Sequence, residues 1–294
     1  MERYREIIDD WEDFRRECQE RDELVTVRKN PLKAGGSFEA NLREEFDETT
    51  KSGWNQKVFR LGRNLSPGRS VLHWRGEYYV QEESASLPVE VLDPQPGETV
   101  LDMCAAPGGK TTQMAAEMEN KGTVYANDSN ENRLKSLYAN IYRTGSACTA
   151  VTNYDGRNLP ESREYDRILV DAPCSGEGNN ARRSFESSEE TERESLSNLQ
   201  LDLLEKASRL VKAGGEIVYS TCTFAPEENE SVIEEVLERT ELELKKVETD
   251  AEHSRGVKEF EDRRYSFDTE KTIRIYPHHL GSGGIFVARL RKPE

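Results

Sequence analysis

Apolar runs alternate with amphipathic stretches along the chain after the Pro-Gly punctuation of LDPQPGE at residues 92–98. The apolar runs predict strands at 99–103, 122–128, 148–153, 166–172 and 215–222. The amphipathic stretches predict helices at 111–119, 131–143, 196–211 and 228–240. The tail from 242 to 290 predicts a pair of strands that ends in GGIFVARL. Strands that alternate with helices indicate an α/β fold, in which helices cover both faces of a parallel sheet.

The first 90 residues follow a different pattern. They predict helices at 2–20 and 38–46 and strands at 24–28, 58–61 and 71–80. We therefore expect two domains, a small N-terminal α+β domain of residues 1–90 and an α/β domain of residues 91–294. The N-terminal domain is expected to contact a polymeric substrate, and a purely packing role is the alternative.

The charge balance bears on the partner. The net charge is −16, with 57 acidic and 41 basic residues, whereas nucleic-acid-binding domains usually have a basic surface. Acidic residues are spread over the whole chain, which is typical of a protein that stays soluble in a very salty cytosol. The alternative is an ordinary acidic protein that never meets nucleic acid.

Two absences in the sequence narrow the class of protein. No apolar run approaches the roughly 20 residues needed to cross a bilayer, and the opening MERYREIIDDWEDF lacks the apolar stretch of a signal peptide. We therefore expect a cytoplasmic protein with no membrane partner. The five cysteines are widely spread and show no paired metal-ligand spacing, so we expect neither disulfides nor a metal site. They are Cys18, Cys104, Cys148, Cys174 and Cys222.

A glycine-rich loop, CAAPGGKTT at 104–112, joins the first predicted strand to a helix. Adjacent glycines allow close approach of backbone N–H groups to a ligand, and the helix N-terminus attracts its negative end. The loop matches neither the P-loop nor the GxGxxG pattern. Asp128, about 20 residues beyond Gly108, is placed to bind ribose hydroxyls, with a helix N-cap as the alternative. Asp155 is a candidate for an adenine amino group, or a turn residue.

Two cysteine motifs follow the fourth and fifth predicted strands of the α/β region. DAPCSGEG at 171–178 contains Asp171 and Cys174, and STCTFAPEENE at 220–230 contains Cys222. If these strands are neighbours, all three side chains face one crevice at the carboxyl edge of the sheet. Isolated cysteines are usually small core residues, and we interpret Cys18, Cys104 and Cys148 in that way.

Two thiols and an acid suit the methylation of a pyrimidine. A thiolate that adds to C6 of cytosine makes C5 nucleophilic enough to accept a methyl group from a sulfonium, and the acid stabilises the ring nitrogen. The residues alone do not choose between Cys174 and Cys222 as the attacking group.

The three strings LDMCAAPGGKT, DAPCSGEG and YSTCTFAPEENE resemble, in this order, the RNA cytosine-C5 methyltransferases of the Rsm/Nop/Sun type. The resemblance covers residues 70–294 and includes YYVQEESAS and RIYPHHLGSGGIFVARL. It implies a class I methyltransferase fold, with a seven-stranded, mostly parallel sheet whose last strand is antiparallel. It also implies S-adenosylmethionine as the cofactor.

The resemblance assigns roles to individual residues. It implies that Cys222 is the nucleophile and that Cys174 assists product release, whereas DNA cytosine methyltransferases attack with the Pro-Cys cysteine, so Cys174 is the alternative nucleophile. Asp171 and Lys110 complete the expected catalytic group. The cofactor contacts that it implies are Cys104, Ala105, Ala106, Pro107, Gly108, Gly109, Lys110, Asp128, Arg133, Asp155 and Asp171.

The substrate is less constrained than the chemistry. The compact chain most resembles archaeal enzymes that act on tRNA, and ribosomal RNA is the alternative. Arg182 and Arg183, after the Pro-Cys motif, are candidates for phosphate contacts or plain surface residues. We expect a monomer. The competing functions are a non-catalytic RNA-binding or assembly factor, and a methyltransferase for DNA or a small metabolite.

Overall fold

The computed structural model describes residues 1–19, 24–63, 65–180 and 185–294, with the backbone alone at Asn180. Arg182 and Arg183 lie outside the described residues. The strands are β1 (Leu24–Lys29), β2 (Thr50–Lys51), β3 (Val58–Arg63), β4 (Tyr78–Val80), β5 (Thr99–Asp102), β6 (Thr123–Asn127), β7 (Thr149–Thr152), β8 (Tyr165–Asp171), β9 (Val211–Thr221), β10 (Glu243–Lys245), β11 (Ser254–Arg255), β12 (Glu259–Phe260), β13 (Arg263–Arg264), β14 (Ile273–Ile275) and β15 (Ile285–Arg291). The α-helices are α1 (Trp11–Gln19), α2 (Phe38–Glu45), α3 (Val71–Trp74), α4 (Leu87–Leu92), α5 (Gly109–Glu117), α6 (Glu131–Thr144), α7 (Glu177–Asn180), α8 (Glu190–Leu210), α9 (Glu230–Arg239) and α10 (Pro277–Leu280).

The central sheet confirms the α/β prediction. Strands β7, β6, β5, β8 and β9 run parallel in that spatial order. Strand β15 lies antiparallel to β9, from the pair Phe286 and Thr221 to the pair Arg291 and Glu216, as expected for the last strand. The predicted count of seven is wrong for the described residues, where the sheet has nine strands. The tail supplies the short strands β10, β11 and β14 in addition to β15, all in antiparallel pairings.

The strand order places a crevice at the carboxyl edge of the sheet. From β5 the chain proceeds outward through β6 and β7, then returns to the other side of β5 to form β8 and β9. Connections therefore leave the carboxyl ends of β5 and β8 in opposite directions, which opens the space where such sheets bind ligands. Asp102 ends β5 and Asp171 ends β8.

Alternate residues of each central strand face opposite layers of helices, as the period of two in a β-strand requires. Leu101, Ile168 and Ile217 pack in one buried cluster with side chains of α8 and α9. Their sequence neighbours Val100, Leu169 and Val218 pack in the other with α4 and α5. Because the strands are apolar on both faces, the sheet is fixed between two dry layers.

The N-terminal region is a four-stranded antiparallel sheet in the order β2, β3, β1, β4, with α2 packed on it. Two predictions were wrong here. The helix predicted at 2–20 begins only at Trp11, after a 3-10 turn and a left-handed Asp10 (φ 52°) that interrupts the helical path. The strand predicted at 71–80 opens as helix α3, because Ser70 accepts a capping hydrogen bond from Leu72 N, and only β4 is extended.

The N-terminal region is joined closely to the rest. The predicted boundary between residues 90 and 91 falls inside α4, whose Val91 and Leu92 are buried with Val100 and Met114. The division into two domains stays a prediction. Of the helices in the described ranges, none combines the length and apolar character needed to cross a membrane.

Candidate active site

A cavity of about 250 Å³ opens between the carboxyl ends of β5 and β8 and the N-terminal region. Two of its sides come from the glycine-rich loop and Asp171, and the third comes from β4 and the segment after it. The lining residues are Tyr79, Val80, Gln81, Ala85, Asp102, Cys104, Ala105, Ala106, Pro107, Gly109, Lys110 and Asp171.

The two glycines of the loop have different physical requirements. Gly108 has a φ of +107°, a left-handed conformation that side chains strain to adopt, and a Cβ there would lie 3.0 Å from Leu137 Cδ1. Gly109 begins α5, two residues earlier than predicted. A Cβ on Gly109 would lie 3.4 Å from the Tyr79 ring. The loop thus leads directly into the N-terminus of α5, and the Tyr79 ring packs against its backbone at Gly109.

Asp128 holds this loop in place. Its Oδ2 accepts a hydrogen bond from Ala106 N at 3.1 Å and its Oδ1 accepts one from Asn130 N at 2.9 Å. Arg133 Nη1 lies 3.4 Å from the same carboxylate, and the Arg133 guanidinium also donates to Ala106 O. The helix N-cap is Asn130 rather than Asp128, because the Asn130 side chain accepts from Asn132 N. The ribose role of Asp128 stays a prediction.

Asp155 is engaged by a neighbour. Its carboxylate accepts a hydrogen bond from Arg157 Nη2 at 2.6 Å and caps the 3-10 turn at 156–158. The hydrogen bond from the Arg157 side chain lowers the pKa of Asp155. Asn127, whose Nδ2 donates to both Met103 O and Tyr154 O, ties this turn to the glycine-rich loop. The adenine contact of Asp155 stays a prediction.

The two motif cysteines meet at the ends of β8 and β9. The sulfur atoms of Cys174 and Cys222 are 3.2 Å apart, and Cys222 N also donates to Cys174 Sγ at 3.2 Å. β8 and β9 are paired in register, with Asp171 opposite Ser220, so the turns that follow each strand deliver both thiols to one point. The sequence expectation depended on these strands being neighbours, and they are.

A lysine–carboxylate pair lies beside the thiols. Lys110 Nζ is 2.7 Å from Asp171 Oδ2, and Ser220 Oγ donates to Asp171 Oδ1 at 2.8 Å. Burial lowers the pKa of Lys110, but the Asp171 carboxylate outweighs it and the net direction is upward. Lys110 therefore stays charged in the crevice, and both Asp171 oxygens have a donor.

The thiols are not electrostatically equivalent. A hydrogen bond from the Cys174 thiol, with help from the Lys110 ammonium, lowers the pKa of Cys222. The same hydrogen bond, together with burial, raises the pKa of Cys174 well above that of a free thiol. The pair therefore favours a thiolate on Cys222 that accepts a hydrogen bond from the Cys174 thiol. Burial and nearby carboxylates raise the pKa of Cys104, so this third cysteine stays a neutral thiol.

The Cys174 turn is held from both sides by two buried side chains that the sequence did not single out. Gln200 Nε2 donates to Pro173 O at 2.8 Å, and Ser175 N donates to Glu228 Oε2 at 3.0 Å. Gln200 and Glu228 are themselves hydrogen-bonded at 2.8 Å. Glu228 stands in the quoted string STCTFAPEENE, but nothing in the string shows which of its acids reaches the cysteine turn.

Asp102 was also missed. It is 1% exposed at the end of β5, and burial raises its pKa to about 7. Its Oδ2 accepts a hydrogen bond from Thr111 Oγ1 at 2.6 Å, while its Oδ1 is buried without a hydrogen-bond partner in the described structure. The sequence did contain a signal for Asp102, because it is an acidic residue at the carboxyl end of an apolar predicted strand. Tyr79 and Gln81 gave no such signal. They lie on β4 and just after it, before the α/β part of the sequence begins, and they reach the cavity only through tertiary packing.

The crevice fits S-adenosylmethionine. Backbone N–H groups at the start of α5 suit a carboxylate. Asp102 Oδ1 in the cavity wall has no hydrogen-bond partner in the described structure and is an acceptor that suits an ammonium group. The described residues contain no group of three or more ligands arranged for a metal ion.

Known RNA methyltransferases are similar to this chain over most of its length. The family model of the 16S rRNA methyltransferases RsmB/F matches residues 89–291. The tRNA (cytosine(49)-C(5))-methyltransferase of Pyrococcus abyssi is 38% identical over 275 residues, 92% of this chain and 88% of that protein. The 25S rRNA (cytosine-C(5))-methyltransferase nop2 of Schizosaccharomyces pombe is 38% identical over 288 residues, 94% of this chain but 47% of that protein. A solved methyltransferase homolog from Pyrococcus horikoshii has a TM-score of 0.87 at 32% identity, over 99% of this chain and 93% of that one.

Proposed function

The chain belongs to the RsmB/F family of S-adenosylmethionine-dependent RNA methyltransferases, and on that premise we propose that it methylates C5 of a cytosine in tRNA through a covalent bond to Cys222. The observation that carries this proposal is the thiol pair, 3.2 Å between sulfurs, beside the Lys110–Asp171 pair. A thiolate, a neighbouring thiol and a carboxylate–ammonium pair match the needs of attack on a pyrimidine ring.

The proposed reaction begins with Cys222. When bound, S-adenosylmethionine supplies a methyl group activated by its sulfonium. The Cys222 thiolate adds to C6 of the cytosine, and the electron pair displaced from the C5–C6 bond makes C5 the nucleophile. The Lys110 ammonium, which Asp171 holds in the crevice, stabilises the negative charge that develops on the ring nitrogen. After C5 is methylated, a base removes the C5 proton, the C5–C6 double bond returns and the C6–sulfur bond breaks.

Cys174 has a separate proposed role. Its raised pKa keeps it a thiol that donates a hydrogen bond to the Cys222 sulfur, and the same proton is available to a departing thiolate. We therefore assign it to release of the product rather than to attack. The residues proposed to hold the cofactor are the loop 104–110, with Asp128, Arg133, Asp155 and Asp171.

The test uses labelled cofactor and RNA at high salt. The unaltered protein is expected to label RNA, Cys222→Ala to label none, and Cys174→Ala to accumulate a covalent protein–RNA adduct that survives denaturing electrophoresis. Adduct formation by Cys222→Ala but not by Cys174→Ala would give the nucleophile to Cys174. No transfer by the unaltered protein would favour the non-catalytic RNA-binding factor.

The substrate proposal is supported by the extent of the alignments with the relatives. The Pyrococcus abyssi relative, which acts on tRNA by its name, aligns over 88% of its own length, and the nop2 rRNA enzyme aligns over 47% of its length. Methylation of purified tRNA but not of purified ribosomal RNA is expected. Sequencing of bisulfite-treated RNA from a deletion strain would identify the nucleotide, and loss of a methylated rRNA position would favour the alternative.

We also propose that the enzyme is a cytoplasmic monomer. Cys222 and Cys174 must both stay reduced to work, which suits a reducing compartment. Light scattering of the purified protein is expected to give the mass of one chain, and localisation of the tagged protein is expected to follow the tRNA pool.

A further inference from the structure

Four segments of at least 15 residues contain no Asp or Glu, although the chain has 57 acidic residues. Three of them are residues 24–38 with three Lys or Arg, 49–76 with six, and 132–154 with three, and the fourth is 271–293. In a protein of net charge −16, acid-free segments of this length indicate a part of the surface that is less negatively charged than the rest.

The fold brings the three segments together. Asn30 Nδ2, in the first segment, donates to Gly76 O in the second and to Thr144 O in the third, both at 2.8 Å. Arg143 Nη1 of the third also donates to His73 O of the second at 3.0 Å. We call the surface formed by the described residues of these segments, 24–38, 49–63, 65–76 and 132–154, the acid-free face.

Exposed apolar side chains concentrate on this face. The described residues include seven large hydrophobic side chains that are exposed, and all but Val80 belong to the three segments. Trp74 and Tyr142 are each 79% exposed. A cleft of about 320 Å³ lies beside Tyr142, between α6 and β7, and no acid lines it. The seven exposed residues are Leu65, Val71, Trp74, Val80, Tyr138, Tyr142 and Tyr154.

Cations on the face are available to a ligand. Lys33, Arg69 and Lys135 are exposed, and in the described part of the chain none of them has a carboxylate partner. Other cations of the face pair with carboxylates from outside it, including Lys51 with Glu39 and Arg75 with Glu77.

The face is continuous with the catalytic crevice. Asn140 on α6 donates to Pro107 O in the glycine-rich loop at 2.9 Å and to the Tyr79 hydroxyl at 3.3 Å. Tyr79 lines the cavity that also contains Lys110 and Asp171. A polymer that lies on the face can therefore extend from α6 to the crevice past Asn140 and Tyr79.

We propose that the acid-free face docks the RNA substrate, with unstacked bases on Trp74 and Tyr142 and phosphates near Lys33, Arg69 and Lys135. This inference rests on the proposed function and adds where the polymer binds. Aromatic stacking accepts any base and single-stranded nucleic acids are commonly held in this way. In concentrated salt, phosphate contacts are screened, so stacking on exposed aromatic rings carries more of the affinity.

The test separates binding from chemistry. The variant Trp74→Ala/Tyr142→Ala is expected to weaken RNA binding and raise the KM for RNA by at least about tenfold, since each lost base stack has a substantial effect. The kcat at saturating RNA and the affinity for S-adenosylmethionine are expected to stay within about twofold. Both side chains are largely exposed, so folding is not at stake. Val71→Ala, which removes exposed apolar surface from the same face but no aromatic ring, is the matched control and is expected to leave RNA binding unchanged.

A charge pair tests the phosphate contacts. Lys33→Gln/Lys135→Gln is expected to weaken RNA binding and to reduce the slope of log affinity against log salt by roughly one to two. Lys246→Gln/Lys258→Gln makes the same change in net charge at exposed lysines elsewhere and is expected to leave both unchanged.

The possible results distinguish the docking inference from the proposed reaction. Unchanged RNA affinity in the aromatic variant overturns the inference even if the enzyme methylates RNA, and a change of oligomeric state without loss of RNA affinity shows that the face joins two copies instead. Weaker RNA binding with no methyl transfer by any version supports the face and overturns the proposed reaction. Absence of RNA binding by the unaltered protein overturns both.

Discussion

At the scale of single residues, the position of one proton distinguishes the two thiols. Cys174 and Cys222 share a hydrogen bond at 3.2 Å, and the Lys110 ammonium contributes to the lower pKa of Cys222. The sequence predicted that both thiols would meet in one crevice. It could not rank them, because the ranking depends on a lysine 112 positions away from Cys222 along the chain and on the partner sulfur.

The pH dependence of alkylation tests this arrangement. Only the thiolate reacts, so the rate at Cys222 should rise with a midpoint below the roughly 8.5 of a free thiol. Lys110→Met and Cys174→Ala should each move that midpoint to higher pH, because each removes a group that favours the thiolate. Peptide mapping with iodoacetamide measures the rate, with Cys148 as the internal reference, whose pKa burial raises. An unmoved midpoint in both variants would contradict the assignment.

Asp102 gives a prediction about stability. Its pKa is about 7 in the native protein and 3.8 in an ordinary aspartate, so between these values the native state keeps a proton that the unfolded state has lost. Stability from this group therefore falls as pH rises from about 4 to 7. Asp102→Asn removes that fall, and its free energy of unfolding relative to the unaltered protein should rise by up to about 4 kcal/mol over the window. Chemical denaturation at pH 5 and pH 8 measures the difference, and equal values at both would refute the raised pKa.

At the scale of elements, buried side chains of α8 and of the turn before α9 fix the cysteine turn. Glu228→Leu removes the Oε2 atom that accepts from both Gln200 Nε2 and Ser175 N, so the Cys174 turn should loosen. We expect slower product release, with adduct accumulation weaker than in Cys174→Ala, and a loss of about 1–3 kcal/mol in stability.

The control for Glu228→Leu is Glu234→Leu. Glu234 is a largely buried acid on α9 that accepts from Ser266 N and Arg263, away from the thiols. It should lose similar stability and accumulate no adduct in single-turnover assays. If both variants behave alike, Glu228 has a structural role only.

The central strands and helices were predictable and the flanking ones were not. Short apolar runs between predicted helices, such as 166–172, are typical of buried strands between two helical layers. Strand β8 lies there. Segment 71–80 is ambiguous because Val71, Leu72 and Trp74 suit a strand by composition, while the Ser70 cap favours a helical turn. Helix α8 begins at Glu190, six residues before its apolar pattern starts, because its first turns face water.

The candidate site residues that follow the central strands were predictable for the same reason. Asp171, Cys174 and Cys222 follow paired strands, so adjacency in the sheet was sufficient. Tyr79 and Gln200 reach the site through tertiary packing between distant parts of the chain, and no local pattern contains that information.

At the scale of the whole molecule, net charge and salt decide stability. With a net charge of −16, repulsion between exposed acids acts over about 10 Å in 0.1 M salt and about 3 Å in 1 M. The melting temperature and the rate of methyl transfer should therefore rise with KCl into the molar range. Differential scanning calorimetry measures the first, and equal stability in 0.1 M and 2 M KCl would argue against adaptation to salt.

A charge variant isolates the cause of that salt response. Glu44, Glu164 and Glu238 are exposed and, within the described ranges, have no cationic partner. Replacing all three with glutamine leaves the apolar core unchanged while it reduces the repulsion. The variant should need less salt for the same melting temperature. An identical salt profile would mean that the salt dependence comes from burial of apolar surface, which salts also strengthen.

The pairing of β9 with β15 has a consequence for the order in which the enzyme is made. Cys222 follows Thr221, which is opposite Phe286 in the sheet, and the backbones of Gly178 and Gly284 are in close contact next to the thiol turns. A ribosome therefore completes both reactive cysteines about 60 residues before the strand that braces them. The strand that braces the thiol turns therefore joins the sheet only after most of the chain has been synthesised.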